Sequence, residues 1–136
     1  MNALLGGCFL LVTIAAYGQG GTLWPCSDEL TKSEGDNHRI RVSTGVSEVL
    51  IEKKVLPDVY DLKGTKTKST VILRTLVDKS GAVRCAEPIQ GDAALFQRSQ
   101  DAVKQWHFKP FLLNGQALII ETPIEFVYKK DKVTAR

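Results

Sequence analysis

Two alternating runs of apolar and polar residues, separated by a turn, predict a β-hairpin in the middle of the chain. The first run spans about residues 70–78 and places on one face Val71, Leu73, Thr75 and Val77. Asp78–Gly81 supplies the turn, since glycine is free to adopt a positive φ, and the second run spans about residues 82–89. Pro88 cannot donate to a ladder, so we expect its end of the second strand at a sheet edge or beyond the pairing.

An amphipathic helix is predicted after the hairpin. Asp92 is suited to cap its first turn. Apolar residues recur three and four positions apart on one face, namely Leu95, Ala102, Val103 and Trp106. The other faces are polar: Gln97, Arg98, Gln100, Asp101, Lys104 and Gln105. Lys104 and His107 suit the negative end of a helix, and Pro110 prevents its continuation.

A third strand, about residues 117–129, follows a tight turn at Asn114–Gly115. Pro123 lies in its middle, which favours an edge position with the proline nitrogen facing away from a protein neighbour. We therefore predict an α+β fold: a two-layer ββαβ domain with a three-stranded antiparallel sheet in the order 2-1-3 and one helix on one face. The third strand keeps an open edge. The second face is left for the N-terminal segment, with Trp24, Ile40 and Val42, or for another chain.

Composition narrows the function classes. The chain has 136 residues, of which 43% are hydrophobic and 24% charged, so it is long enough for one small globular domain. A net charge of +3 does not argue for nucleic acid. Five lysines flank or fill one loop, and we interpret them as a solvated surface rather than an anion site: Lys53, Lys54, Lys63, Lys66 and Lys68.

The N-terminus predicts export. Residues 3–16 form an apolar run, and small residues precede a cleavage point after Gly18, as in a signal peptide. An uncleaved membrane anchor and a lipoprotein box ending at Cys8 are the alternatives. The predicted organisation is a signal peptide or short anchor at 1–18, an extended segment at 19–44, a domain at 45–130 and a tail at 131–136. Within the domain, Val46, Val49 and Leu50 predict a short helical turn before Pro57.

Export leaves two cysteines, Cys26 and Cys85, in an oxidising compartment where a disulfide is permitted. Such a bridge would close a loop of about 60 residues and contribute roughly 3–4 kcal/mol. In the alternative reading, Cys85 is a small buried apolar residue and Cys26 is loosely placed.

Catalytic and metal-binding patterns are missing from the sequence. His38 and His107 have no further ligand at coordination spacing, and no phosphate loop or nucleophile elbow is present. Two carboxylate pairs, Asp58 with Asp61 and Glu121 with Glu125, follow the pattern of solvated surfaces. We predict no enzyme, no cofactor and no metal.

Four segments carry a family resemblance: RIRVSTGV (39–46), TVILRTLVDKSGAV (70–83), LFQRSQDAVKQWHFKPFLLNG (95–115) and IETPIEF (120–126). With these segments the chain resembles the C-terminal domain of the TonB family, the periplasmic energy transducers of Gram-negative bacteria. Family members carry a Pro-x-Tyr-Pro type motif and a short helix before the hairpin. This chain instead has Pro57–Asp61, one residue longer and without the second proline, followed by a loop-like stretch.

The resemblance implies a periplasmic module whose last strand pairs with the TonB box, a short N-terminal segment of outer-membrane receptors. By position, the partner-binding residues are Ala117, Ile119, Ile120, Glu121, Thr122, Ile124, Glu125 and Val127. The alternative is that the edge is short and protected, with Pro123 and Glu121 preventing another strand from pairing with it. Strand addition suits the predicted edge because it gains backbone hydrogen bonds while side chains set specificity.

Two other functions remain open at this point. The first is an anchored energy transducer that works with ExbB–ExbD. Against it, residues 3–16 lack the Ser and His of the family's transmembrane motif, and no Pro-rich spacer follows them. The second is a structural envelope domain that forms a homodimer through its open edge and spare apolar face.

Overall fold

A computed structural model describes residues 25–27, 39–62, 68–130 and 132–136. Its strands are β1 (Arg39–Arg41), β2 (Ile51–Lys53), β3 (Lys68–Val77), β4 (Val83–Gln90), β5 (His107–Phe108), β6 (Phe111–Leu113), β7 (Gln116–Lys129) and β8 (Lys132–Ala135). Its helices are α1 (Thr44–Glu48) and α2 (Phe96–Val103), with 3₁₀ turns at Tyr60–Leu62 and Ala93–Leu95. The predicted signal peptide, the Cys8 box, Trp24, His38, Lys63 and Lys66 lie outside these described residues.

The central strand is β3, with β4 antiparallel on one side and β7 antiparallel on the other. The three strands foreseen from the sequence therefore lie in the predicted order, and the α+β class is confirmed. The predicted number of strands is wrong: in the described part of the chain the main sheet has six strands, because β1, β6 and β8 also pair with β7. These additions have three or four residues each, too few for a recognisable alternation.

The hairpin turn requires the glycine that the sequence places there. Gly81 has φ of +90°, and a Cβ at this position would collide with the carbonyl of Phe108. The backbone N–H of Phe108 donates to the Gly81 carbonyl at 2.9 Å, so the ribbon of β5 and β2 docks against this end of the sheet. The predicted turn is confirmed, and it also anchors a second small sheet.

One face of the main sheet forms the core together with α2. The alternating residues Val71, Leu73 and Val77 are buried there, and the predicted helix face is buried against them. Trp106 is 2% exposed, donates from Nε1 to the Val55 carbonyl at 2.7 Å, and lies 5.7 Å from the ring of Phe126 between centroids. A buried indole needs such an acceptor, since its N–H would otherwise be left without a partner.

The helix differs from its prediction at both ends. Asp92 does accept a hydrogen bond from the Ala94 N–H, but it caps the 3₁₀ turn that leads into α2. The α-helix ends at Val103, and His107 lies in β5 rather than at a helix end, with Nδ1 3.0 Å from a Glu52 carboxylate oxygen. The chain leaves the helix early because Trp106 and Phe108 both turn into the core.

One residue assigned to the polar faces of α2 is in fact buried. Gln100 is 1% exposed, and its Nε2 donates to the Ala86 carbonyl of β4 at 2.8 Å. A glutamine can be buried in this way because the amide finds a backbone partner. Periodicity alone gives no sign of it.

The Pro57–Asp61 stretch, where the family resemblance is weakest, is fixed by α2. Arg98 pairs with both carboxylate oxygens of Asp61, at 2.8 and 2.7 Å, and donates to the Asp58 carbonyl at 2.8 Å. The Arg98 guanidinium holds the pKa of Asp61 below its usual value. The Arg98 contacts thus attach this stretch to α2.

The second face of the sheet is covered differently from the expectation. Ile40 and Val42 pack on the helix side, so they do not cover this face. Cys26 does: it is buried with Leu76 and Cys85, and a disulfide joins Cys26 to Cys85 across 59 residues. The rest of this helix-free face carries mixed polar and apolar side chains.

Candidate functional site

The outer edge of β7 is not open, which corrects the main structural expectation for the binding site. β6 covers residues 116–118, β1 covers 119–121 in parallel, and β8 covers 126–129. Glu125 exchanges two backbone hydrogen bonds with Arg136, at 2.8 and 3.0 Å. The chain therefore pairs with its own β7 edge, in keeping with the general rule that an unpaired edge is a hazard.

A short stretch of the edge without a strand partner is closed by α1. The Thr44 hydroxyl lies 3.5 Å from the Pro123 carbonyl, and the Ser47 and Thr122 hydroxyls are 2.8 Å apart in a buried contact. Backbone groups of Glu121 and Glu125 point outward to β1 and to Arg136. Pro123 lies midway between them, so its nitrogen also faces outward, away from β3, as the sequence predicted.

The eight predicted partner-binding residues divide between the two faces of β7. Ile120, Thr122 and Ile124 are buried on the helix side and belong to the interior. The other five alternate onto the helix-free face: Ala117, Ile119, Glu121, Glu125 and Val127. Side-chain recognition by Ile120 or Ile124 is thus excluded in this arrangement, and their backbone groups pair with β3.

Glu121 is the centre of a charged cluster on the helix-free face. Its side chain is 8% exposed, and Oε1 lies 2.9 Å from Arg74 Nε and 3.2 Å from an Arg41 guanidinium nitrogen. Two cations offset the desolvation of this carboxylate. The cluster links β1, β3 and β7, so it fastens β1 to the edge that it covers.

A shallow depression of about 320 Å³ lies beside this cluster, lined by Arg41, Arg74, Ile89, Glu121, Thr122 and Pro123. Its lining combines charged side chains with the apolar Ile89 and Pro123, and Arg41 is the last residue of β1. No group of three or more metal-binding side chains occurs within the described ranges.

The opposite margin of the sheet, β4, is a poor alternative for strand addition. In the described part of the chain β4 pairs only with β3. Gln100 already bonds the Ala86 carbonyl, and Pro88 lacks an N–H group. The prediction that Pro88 lies on an edge strand is confirmed. On this edge a guest strand would therefore meet one carbonyl that is already bonded and one position without an N–H.

Comparison with protein families matches residues 62–129 to the Gram-negative bacterial TonB protein C-terminal family. The match covers β3 to β7, which include the central hairpin, α2 and the covered edge. The chain belongs to the TonB C-terminal family. No match to a curated protein and no match to a solved structure accompanies this family match.

TonB C-terminal domains are periplasmic, transport-related and non-enzymatic, and they occur in Gram-negative bacteria. The chain is accordingly a TonB-like domain of envelope transport. Among the described residues, no helix is both long enough and apolar enough to cross a bilayer.

The strand prediction from the sequence did not include two elements that lie outside the TonB family match. β1 falls in the stretch taken as an extended segment, and β8 falls in the predicted tail. Each has a weak signal in retrospect: Ile40 lies between two arginines, and Val133 alternates with Lys132 and Thr134. The Arg74–Glu121 pair is 47 residues apart, and only the β3–β7 register brings it together.

Proposed function

We propose that this TonB-type module binds an extended peptide, namely the TonB box of an outer-membrane receptor, by strand exchange at β7. The guest pairs with the stretch around Ile119–Glu121 after β1 has left it. The observation that carries the proposal is that β1 is a separate, three-residue parallel strand on an otherwise continuous recognition edge.

β1 is the most easily exchanged of the three covering strands. β6 and β8 are each tied to β7 by a tight turn, at Asn114–Gly115 and at Lys130, where the chain adopts positive φ. β1 precedes its partner by 80 positions in the register that pairs Arg39 with Ile119, so no short turn returns it to β7. Its departure breaks the Arg41–Glu121 ion pair but leaves the pairing of β3 with β4 and β7 in place.

The contacts of β1 define the guest. Ile40 packs against the core, and the Val42 N–H donates to the Glu121 carbonyl at 2.9 Å. A guest strand donates its own backbone N–H to the Glu121 carbonyl in place of Val42, and it places an apolar side chain where Ile40 lies. Backbone pairing supplies affinity, and this apolar position supplies selectivity.

The test uses synthetic peptides that cover the N-terminal, periplasm-facing segments of TonB-dependent receptors. Fluorescently labelled peptides are titrated into the folded, oxidised protein. N-methylation of every second peptide amide should abolish binding in one register and leave affinity almost unchanged in the other, because only alternate amides face β7. Equal tolerance in both registers would contradict backbone pairing.

Two matched truncations locate the exchanged strand. Ile40 in β1 and Val133 in β8 are both half-buried against the same core. Ile40→Ala should tighten peptide binding by about tenfold, since it weakens the internal competitor, while Val133→Ala should leave affinity within about twofold. The reverse result would assign the exchange to β8. Stable dimers that bind no peptide would favour the structural role instead.

A further inference from the structure

The topology gathers lysines at one end of the helix-free face. Lys68 begins β3, Lys129 ends β7 and Lys132 begins β8; the register pairs Lys129 with both of the others. Residues directly opposite each other on paired strands share a face, so the three lysines lie on one face. The next row on that face consists of Thr70, Val127 and Thr134, since both threonines pair with Val127. Adjacent strands are about 4.8 Å apart, which makes this a row of three cations about 10 Å wide.

Lys130 lies in the turn at the same end, and all four lysines are exposed. Within the described residues, no carboxylate forms an ion pair with any of them. Asp131 is the single acid in the 129–132 sequence, and four lysines less one aspartate leave an excess of three positive charges. We refer to Lys68, Lys129, Lys130 and Lys132 as the lysine end.

The lysine end differs from the cluster expected from the sequence. Lys54 is directed elsewhere: its ammonium donates to the Ala135 carbonyl at 2.8 Å and lies 5.5 Å from the Trp106 ring centroid. Lys53 pairs with His107 beside the hairpin turn, at the opposite end of the sheet. Of the described lysines in that cluster, Lys68 lies at this end, where strand pairing adds Lys129 and Lys132 and the turn adds Lys130.

Like charges directly opposite each other destabilise a sheet, so this row costs stability unless a partner neutralises it. The shape of the lysine end indicates the partner. Lys68, Lys129 and Lys132 stand side by side on three neighbouring strand ends of one face, with the Lys130 turn beside them, so their charges do not converge from several sides on one point. The adjoining row of Thr70, Val127 and Thr134 carries no charge and repels no anion.

We propose that the lysine end docks the domain on an anionic phospholipid surface through headgroup phosphates. A row of cations on one sheet face suits many phosphates lying in one plane, whereas a single small anion is bound best by groups that converge on it. This docking is independent of peptide exchange, because β1 lies at the other end of β7.

The test is co-sedimentation of the full, oxidised chain with vesicles of phosphatidylcholine, alone or with roughly one third phosphatidylglycerol. The neutral vesicles report any insertion of the apolar N-terminal run, which is the same in every variant. The lysine-end variant is Lys68→Gln/Lys129→Gln/Lys132→Gln. The control is Lys53→Gln/Lys79→Gln/Lys109→Gln, which removes the same charge from exposed lysines near the hairpin turn.

We expect the wild type to bind the anionic vesicles and to be released by high salt. Each lysine near an anionic surface is worth about fivefold in partitioning, so the lysine-end variant should bind roughly 100-fold more weakly. The control should bind within a few fold of wild type. Equal losses in both variants would reduce the effect to net charge and overturn the proposal. Binding to isolated peptidoglycan sacculi but not to anionic vesicles would overturn it as well.

Discussion

Breaking the Cys26–Cys85 disulfide should lower the free energy of unfolding by about 4 kcal/mol, chiefly through the unfolded chain. The bridge spans 59 positions, so reduction releases a closed loop of about that length. Both cysteines are almost fully buried against Leu76. The double variant Cys26→Ala/Cys85→Ala also loses two buried sulfur atoms, so it should be less stable by a further 1–2 kcal/mol or so.

Urea unfolding measures the effect by far-UV circular dichroism and tryptophan fluorescence, with and without reductant. Cys8→Ser in every sample prevents wrong pairing. The slope of unfolding free energy against urea should rise on reduction, because an uncrosslinked chain exposes more surface. The alanine double variant is the control, since reductant should not change it. If oxidised and reduced proteins differ by less than about 1 kcal/mol, the loop-entropy reasoning is refuted.

Three further predictions concern single side chains. Trp106→Phe removes the hydrogen bond to Val55 and part of the ring, and should cost about 2–4 kcal/mol in urea unfolding; a cost under about 0.5 would mean that the indole is not held as described. Burial alone would raise the pKa of Asp78, but hydrogen bonds from Ser80 and from backbone N–H groups, with Arg84 nearby, lower it overall. A lowered pKa stabilises the fold above the unfolded value of 3.8, and this contribution is lost as the pH falls through the lower, folded value. Asp78→Asn should therefore show a shallower loss of melting temperature below about pH 4, and parallel curves would contradict this. Lys129→Gln should raise stability by about 0.2–1 kcal/mol, since it removes a like-charge pair on each side; a loss in thermal unfolding would count against that repulsion.

The long elements could be read from the sequence because each carries its own periodic signal. β3 alternates over ten residues, and apolar residues recur at helical spacing in and around α2, at Leu95, Ala102, Val103 and Trp106. The turns at Gly81 and Asn114–Gly115 were likewise legible, since a positive φ restricts the residue type. These features fix the central frame and its strand order.

The candidate site could not be read in the same way, because it depends on which short segments reach β7. Three residues of β1 and four of β8 contain little alternation, and their pairing is decided by burial of Ile40, Val133 and Ala135 against the finished core. Openness of an edge is a property of the whole fold, and the local sequence of β7 does not encode it. The burial of Gln100 was likewise not predicted, because it depends on the Ala86 carbonyl of a different element, β4.

The position of the disulfide determines where tension would enter the domain. A pull on the chain ahead of Cys26 reaches the sheet at Cys85 in β4, which is hydrogen-bonded to the central strand, and bypasses everything in between. β1 lies within the bypassed loop, so it bears none of that load while the sulfurs remain joined. In the reduced protein the same pull would act first on β1 and peel it from β7, so the redox state decides which strand yields to force.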